Sequence, residues 1–296
     1  MAITVNDVQL SLAYRLGESR VPTNTNEKAK RLRFIQEGYR SLLKRHYWWF
    51  TEKTTSLETV AGKEQYGTSD GLPTDMRDII EVRVDGDLYE PLPADDAFGE
   101  LRYPPQFYAY PNLTFSKYWF MYEGELHLLP NPATTPAAKS VSGIVRSGSV
   151  ATVTCTNHGF ETNDYVKIAG ADQAGYNSTF RITKLTANTF TFIVTSAPST
   201  PATGTITATQ QNLVLRYFHW PTMPSADADV FLIPDAYTDA LVAFAYARVM
   251  NIDAERGSAS DGFDEYEEIV KEIFVEENKR KFYGKAVHPY DYGYDY

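Results

Sequence analysis

Two changes of patterning limit what this chain can fold into. Up to residue 137 the sequence is aromatic and acidic. From 138 to 210 it becomes a run laden with Thr, Ser and Gly in which apolar and polar residues alternate. At Asn212 the earlier style resumes, and Leu213-Val214-Leu215-Arg216-Tyr217-Phe218 reads as a strand partner for Glu125-Leu126-His127-Leu128-Leu129. Alternation at a period of two favours strands over helices, so the central run reads as all-β. A chain that leaves one domain and later returns to it must bring its two departure points together, as exposed loop tips allow. The expected fold class is α+β: a helical domain with a small antiparallel sheet, interrupted by an inserted all-β barrel or sandwich. The expected boundaries are 1–137 and 211–282 for the host, 138–210 for the insert, and 283–296 for a C-terminal arm. Residues 139–209 hold five Lys/Arg and three Asp/Glu, so the insert carries about +2 of the chain's formal charge of −10 and the host about −12.

That charge argues against tight, sequence-independent nucleic-acid binding, which depends on neutralising phosphates with Lys and Arg. With 296 residues and 43% apolar content the chain can bury a full core in one or two domains. A single cysteine, Cys155, excludes an intrachain disulfide framework and suits a reducing compartment. No apolar run is long enough to span a membrane, and the first residues lack a signal-peptide pattern. Tyrosine occurs 21 times. Amphipathic aromatics are enriched at interfaces, so this abundance leans toward an assembly subunit.

In the first host segment Thr4 can cap a short helix that Gly17 ends. A longer helix is expected over 26–46, with Leu32, Ile35, Tyr39, Leu42, Leu43 and His46 on one buried stripe. Its other face carries Lys28, Lys30, Arg31, Arg33, Arg40, Lys44 and Arg45 against Glu27 and Glu37, the one basic surface in an acidic protein. Such a face is a solvated helix surface, a subunit contact or a DNA-facing stripe. The subunit contact is favoured, because the chain from Asp253 onward carries twelve acidic and six basic residues. The candidate contact residues are Lys30, Arg33, Arg40 and Lys44. Tyr47-Trp48-Trp49-Phe50 is expected to wedge helix against sheet. A strand follows over 51–59, a turn at Gly71-Leu72-Pro73, and another strand over 78–84 that ends in the hairpin signal Asp85-Gly86. Asp95-Asp96 reads as a helix start rather than a catalytic pair. A second hairpin spans 118–129.

Within the insert, Ala151, Val153 and Cys155 alternate with Thr152, Thr154 and Thr156, giving one buried and one wet face. Val166, Ile168, Phe180, Ile182, Phe190, Phe192 and Val194 continue the pattern, so five or six short strands are expected. Cys155 reads as a packed small hydrophobe rather than a nucleophile. In the second host segment Pro234-Asp235 starts a helix reaching about Asn251, apolar on every side. A turn near Gly257-Ser258 leads to another, striped by Phe263, Tyr266, Ile269, Val270, Ile273 and Phe274. On its wet face Glu267 and Lys271 stand four apart in the favourable order. The last residues, among them Tyr283, Tyr290, Tyr292, Tyr294 and Tyr296, read as a docking arm rather than a core element.

No motif for catalysis stands out. The five histidines (His46, His127, His158, His219 and His288) are scattered, without metal-ligand spacing. No phosphate-cradling glycine loop, nucleophile elbow or calcium loop is present in the sequence. The expectation is therefore no enzyme, no cofactor and no metal.

The order of these elements resembles the head-to-tail adaptor of short-tailed bacteriophages, of the tail tubular protein A type. The resemblance covers about 1–137 and 211–296. It rests on Tyr47-Trp48-Trp49-Phe50, Leu128-Leu129-Pro130, Ile233-Pro234-Asp235, Ala243-Phe244-Ala245-Tyr246-Ala247-Arg248 and the tyrosine-rich end. The insert resembles small β-modules with a His-Gly-Phe, Gly-Tyr-Asn, Asn-Thr-Phe-Thr sequence that are spliced into many phage structural proteins. The resemblance implies a virion protein at the head–tail junction, assembled in the host cytoplasm as a ring of twelve subunits. The implied partners are further copies of itself, the portal protein, the tail nozzle (tubular protein B) and tail fibres. Genomic DNA would pass through without specific binding, and no membrane is involved. The arm, Tyr283 to Tyr296, would dock onto the portal. The alternative is a tail-associated receptor- or carbohydrate-binding protein acting through the insert, with Tyr165 and Tyr176 as exposed stacking residues.

Overall fold

The computed structural model describes residues 3–92, 117–252 and 256–283. It is a mixed α+β protein that packs as two compact units, one formed by the segments before residue 53 and after residue 218, the other by residues 53–218. The changes of composition near 138 and 210 fall inside the second unit.

The first unit is built from α1 (Val5–Arg15), α2 (Thr25–Arg45), α3 (Thr238–Ile252) and α4 (Arg256–Tyr283). A two-stranded ribbon pairs β1 (Ile3–Thr4) with the last strand in chain order, β17 (Val230–Phe231). Thr4 caps α1 in a capping box: its hydroxyl accepts from the Asp7 N–H at 3.2 Å, while its own N–H donates to the Asp7 carboxylate at 2.9 Å. The Thr4 hydroxyl, which also lies 2.6 Å from the Asp7 carboxylate as a donor, and the Thr4 N–H hold the Asp7 carboxyl below its ordinary value. Asn24 caps α2, accepting from Asn26 and Glu27. The expected stripe on α2 is buried through Ile35, Tyr39, Leu42 and Leu43. It meets α3, whose Leu241, Val242, Ala243 and Ala245 are buried in the same core. Small residues set the approach of the helices. A Cβ added at Gly38 would lie 3.0 Å from Phe244, and one at Gly262 would lie 3.0 Å from Ala247. Tyr266, Val270 and Ile273 of α4 complete this core.

Three expectations change here. α4 already includes Gly257 and Ser258, so these belong to its first turn instead of a preceding one. Phe274 leaves the stripe and is 40% exposed, its ring meeting His46 edge-on at 4.8 Å. Trp48 is wholly buried in the helical core rather than set between helix and sheet. Its indole N–H donates to the Leu42 carbonyl at 2.8 Å, ending α2 with a side-chain bond, and its ring stacks with Phe50 at 5.9 Å.

The second unit contains a seven-stranded sheet in the order β2-β16-β4-β5-β6-β7-β3. The strands are β2 (Glu52–Leu57), β3 (Gln65–Tyr66), β4 (Met76–Val84), β5 (Asp87–Pro91), β6 (Tyr118–Tyr122), β7 (Glu125–Leu129) and β16 (Leu213–His219). Both expected hairpins form. Val84 pairs with Asp87 across Asp85 and Gly86, and Tyr122 pairs with Glu125 across Glu123 and Gly124. All four turn residues have positive φ, the demand of a two-residue turn that follows strand twist.

The sheet is larger than expected, and it is not purely antiparallel, since β5 and β6 run parallel. Nor does 213–218 pair with 125–129. β7 already has β6 on one edge and β3 on the other, so β16 lies between β2 and β4 instead.

Residues 139–210 form eight strands, more than the five or six expected. β9 (Gly143–Ser147), β10 (Val150–Thr154), β13 (Thr183–Thr186) and β14 (Thr189–Ile193) make one four-stranded sheet. β8 (Lys139–Ser140), β11 (Tyr165–Ala171), β12 (Thr179–Arg181) and β15 (Gly204–Gln210) make another. The two sheets close on one core that includes Ala151, Val153, Cys155, Ile168, Phe190 and Phe192. The seven-stranded sheet has its own core, around Leu57, Tyr66, Val82, Leu126, Leu128 and Leu213.

The two departure points of this β-run meet at Thr59, a fully buried residue. Its hydroxyl lies 2.9 Å from the Thr134 carbonyl and 2.8 Å from the Asn212 side-chain oxygen, and its N–H donates to that same oxygen at 3.1 Å. One hydroxyl proton serves one acceptor at a time. The Asn212 oxygen therefore keeps the backbone N–H when the hydroxyl turns to Thr134. The Asn212 amide donates onward to Asp85 at 2.7 Å.

Candidate functional site

The basic helix α2 does not present all seven of its cations to solvent. Arg31 is 5% exposed, a correction to the solvated face expected of it: Glu18 takes both terminal nitrogens, at 2.7 and 2.8 Å, and Glu27 takes Nε at 3.1 Å. Lys28 pairs with Asp227, and Arg45 makes a two-pronged bond to Glu267. What remains outward is the set Lys30, Arg33, Arg40 and Lys44. Arg33, Arg40 and Lys44 are exposed, while Lys30 is half-buried and lies 4.0 Å from Glu27. Steps of seven and four residues keep Arg33, Arg40 and Lys44 on one face of the helix. Glu37 interrupts that face, held by Arg33 at 3.4 Å and by Arg248 of α3 at 2.8 Å. Arg248 therefore adds a cation to this surface, and no sequence spacing announces it, because only packing of α3 on α2 brings it there.

Part of the charge complementarity between α2 and the acidic C-terminal region is satisfied within the chain. Glu267 is taken by Arg45 rather than by Lys271, and Glu265 is held by Arg15. Hydrogen bonds from Arg15 and from Arg31 hold the Glu265 and Glu18 carboxyls below their ordinary 4.5. A carboxyl depressed in the folded state contributes stability above its unfolded value, and that contribution is lost as pH falls through the folded value. The melting temperature of the helical unit is therefore expected to be level above about pH 5 and to fall below it. In thermal melts between pH 6 and 3, Glu18→Gln with Glu265→Gln should flatten the fall. An unchanged slope would show that other groups govern it.

In the β-run the recurring motif residues serve the scaffold. His158 is 2% exposed; its Nδ1 accepts from the Phe160 N–H at 3.0 Å and its Nε2 faces the Thr186 carbonyl at 3.0 Å. Those two bonds require the tautomer with the proton on Nε2. Asn177 bonds both ways to the backbone of Ala171, and the Asn188 oxygen receives the Asn157 N–H. Tyr176 is fully buried, a correction to its expected role as an exposed stacking residue, because its ring fills the shared core. Tyr165 is half-exposed.

Tyr283 is the last residue of α4, so the backbone remains helical to the start of the expected arm. Tyr290, Tyr292, Tyr294 and Tyr296 lie outside the described residues, as does Asp95-Asp96. Among the described residues no group of three or more His, Cys, Asp or Glu is placed to hold a metal ion. No described helix is long and apolar enough to cross a membrane.

The family model described as SU10 adaptor protein matches residues 3–288. No curated protein matches the chain. Among solved structures, the phage phi92 endosialidase is 18% identical over 28% of this chain and 13% of its own, with a TM-score of 0.22. A likeness that slight bears on neither fold nor function.

Proposed function

Since the chain belongs to the SU10 adaptor protein family, and so is a structural adaptor of the phage virion, we propose that it is the head-to-tail adaptor ring. In this reading twelve copies join the portal to the tail nozzle and line part of the DNA conduit. The observation that carries it is the family match across nearly the whole chain. The charge agrees. A subunit of net charge −10 lets DNA slide past, since a conduit that gripped phosphates would retard its own cargo. The outward cations of α2 support the ring in another way: in this reading Arg33 and Arg40, both exposed, meet another subunit. Tail fibres and the nozzle complete the set of partners, and no cofactor enters.

Negative-stain images of the purified protein and of the virion test the reading. Rings with an axial hole are expected; a trimeric fibre or a compact monomer in both would overturn it.

We also propose that residues 138–210 are a guest module in a host that folds without them. The module closes its own core from its own two sheets. Replacing 139–209 with a short Gly/Ser linker is expected to leave the host's cooperative unfolding transition in place, because Thr59 already holds both ends. Loss of that transition in calorimetry would count against a separable module.

A further inference from the structure

Five carboxylates of α4 form an exposed row: Asp261, Asp264, Glu268, Glu272 and Glu276. Their spacing of three, then four residues repeatedly, places them on one helix face, with Lys271 at its edge. None of the five has a hydrogen-bond or ion-pair partner among the described residues. Their neighbours Glu265 and Glu267 turn to Arg15 and Arg45 of the same chain. Three of the successive pairs in the row stand four apart with like charge, an arrangement that weakens a helix unless something cationic covers it.

The outward cations of α2 match this row. From Lys30 to Lys44 the α2 stripe runs about 21 Å at the helical rise, and from Asp261 to Glu276 the α4 row runs about 22 Å. We propose that the outer face of α4 is the surface on which the α2 stripe of a second copy docks, head to tail. This rests on the ring reading above and names the other half of its contact. The two surfaces differ and both belong to one chain, so the contact is heterologous, the kind that closes into a ring when its rotation permits. Opposed charges set the register of such a contact and the rate at which it forms, and both effects fade with salt.

Two reversed variants test the pairing, Arg33→Glu with Arg40→Glu and Glu268→Lys with Glu272→Lys. All four positions are exposed, so circular dichroism is expected to match the wild type. Alone at low salt, each variant faces like charge with like and is expected to associate at least about tenfold more weakly than wild type in sedimentation velocity. Mixed one to one, each supplies the complement of the other at both of its surfaces, and assemblies of alternating composition are expected to return. Wild-type oligomers alongside variants that assemble equally well, or a mixture that stays dissociated, overturn the α4 contact alone. A wild type that remains monomeric at high concentration and low salt, and forms no ring when portal is added, overturns the ring reading and the contact together.

Discussion

A chain cut after Phe282 is expected to fold and remain soluble but to stop co-sedimenting with portal-bearing, DNA-filled heads. The cut removes Tyr283, Tyr290, Tyr292, Tyr294 and Tyr296 together with Asp291 and Asp295. Tyrosine offers a large apolar ring and a hydroxyl at little conformational cost, so alternating Tyr and Asp suits a groove of apolar pockets with basic edges. Buried tyrosine anchors often cost about 2 kcal/mol each when lost, and losing even two of them weakens binding by roughly a thousandfold. The α4 residues of the described helical core, Tyr266, Val270 and Ile273, all lie ahead of the cut. Undiminished co-sedimentation of the truncated subunit would show that the arm does not dock on the portal.

Trp48→Ala is expected to be the most damaging single substitution in the helical unit, at about 3–5 kcal/mol. The indole is wholly buried, it packs beside Phe50 and Tyr237, and its N–H satisfies the Leu42 carbonyl where α2 ends. Alanine leaves a cavity and takes the indole donor away from that carbonyl. Trp49, the next residue, is 43% exposed, and Trp49→Ala is expected to cost far less. Urea titrations followed by circular dichroism at the helical transition separate the two. Equal losses would mean that Trp48 does not anchor this core.

The helices were legible because their signals are local. Thr4, Gly17 and the stripe Ile35-Tyr39-Leu42-Leu43 announce boundaries and faces within a few residues of themselves. The Asp85-Gly86 and Glu123-Gly124 hairpins were legible for the same reason, since positive φ is demanded where the turn occurs. Strand order was not. Leu213 to Phe218 has the right alternation for any neighbour, and only the occupied edges of β7 and the gap between β2 and β4 decide its place.

Burial of single polar or aromatic residues was equally hidden. Arg31 has the same sequence surroundings as Arg33, yet Glu18 comes from a preceding loop to draw it inward. Tyr176 sits in a turn sequence that gives no hint that its ring fills the core. The candidate contact on α2 was legible as a basic stripe, but its depletion by Glu18, Asp227 and Glu267, and its gain of Arg248, depend on tertiary packing.

The clasp at Thr59 sets what the proposed guest module must supply at its junction. On the entering side it requires only a backbone carbonyl, at Thr134, which any residue supplies. On the returning side it requires one side chain, Asn212, and that residue is anchored to the host by Asp85 rather than to anything between. At this clasp the demand on the sequence enclosed is that its ends arrive about as far apart as the two acceptors of one buried residue, and beside it the Thr135 hydroxyl accepts from the Ala61 N–H at 2.8 Å. On the guest-module proposal, a cassette of different fold and surface is expected to be exchangeable there without redesign of the host, provided that its termini leave from one side.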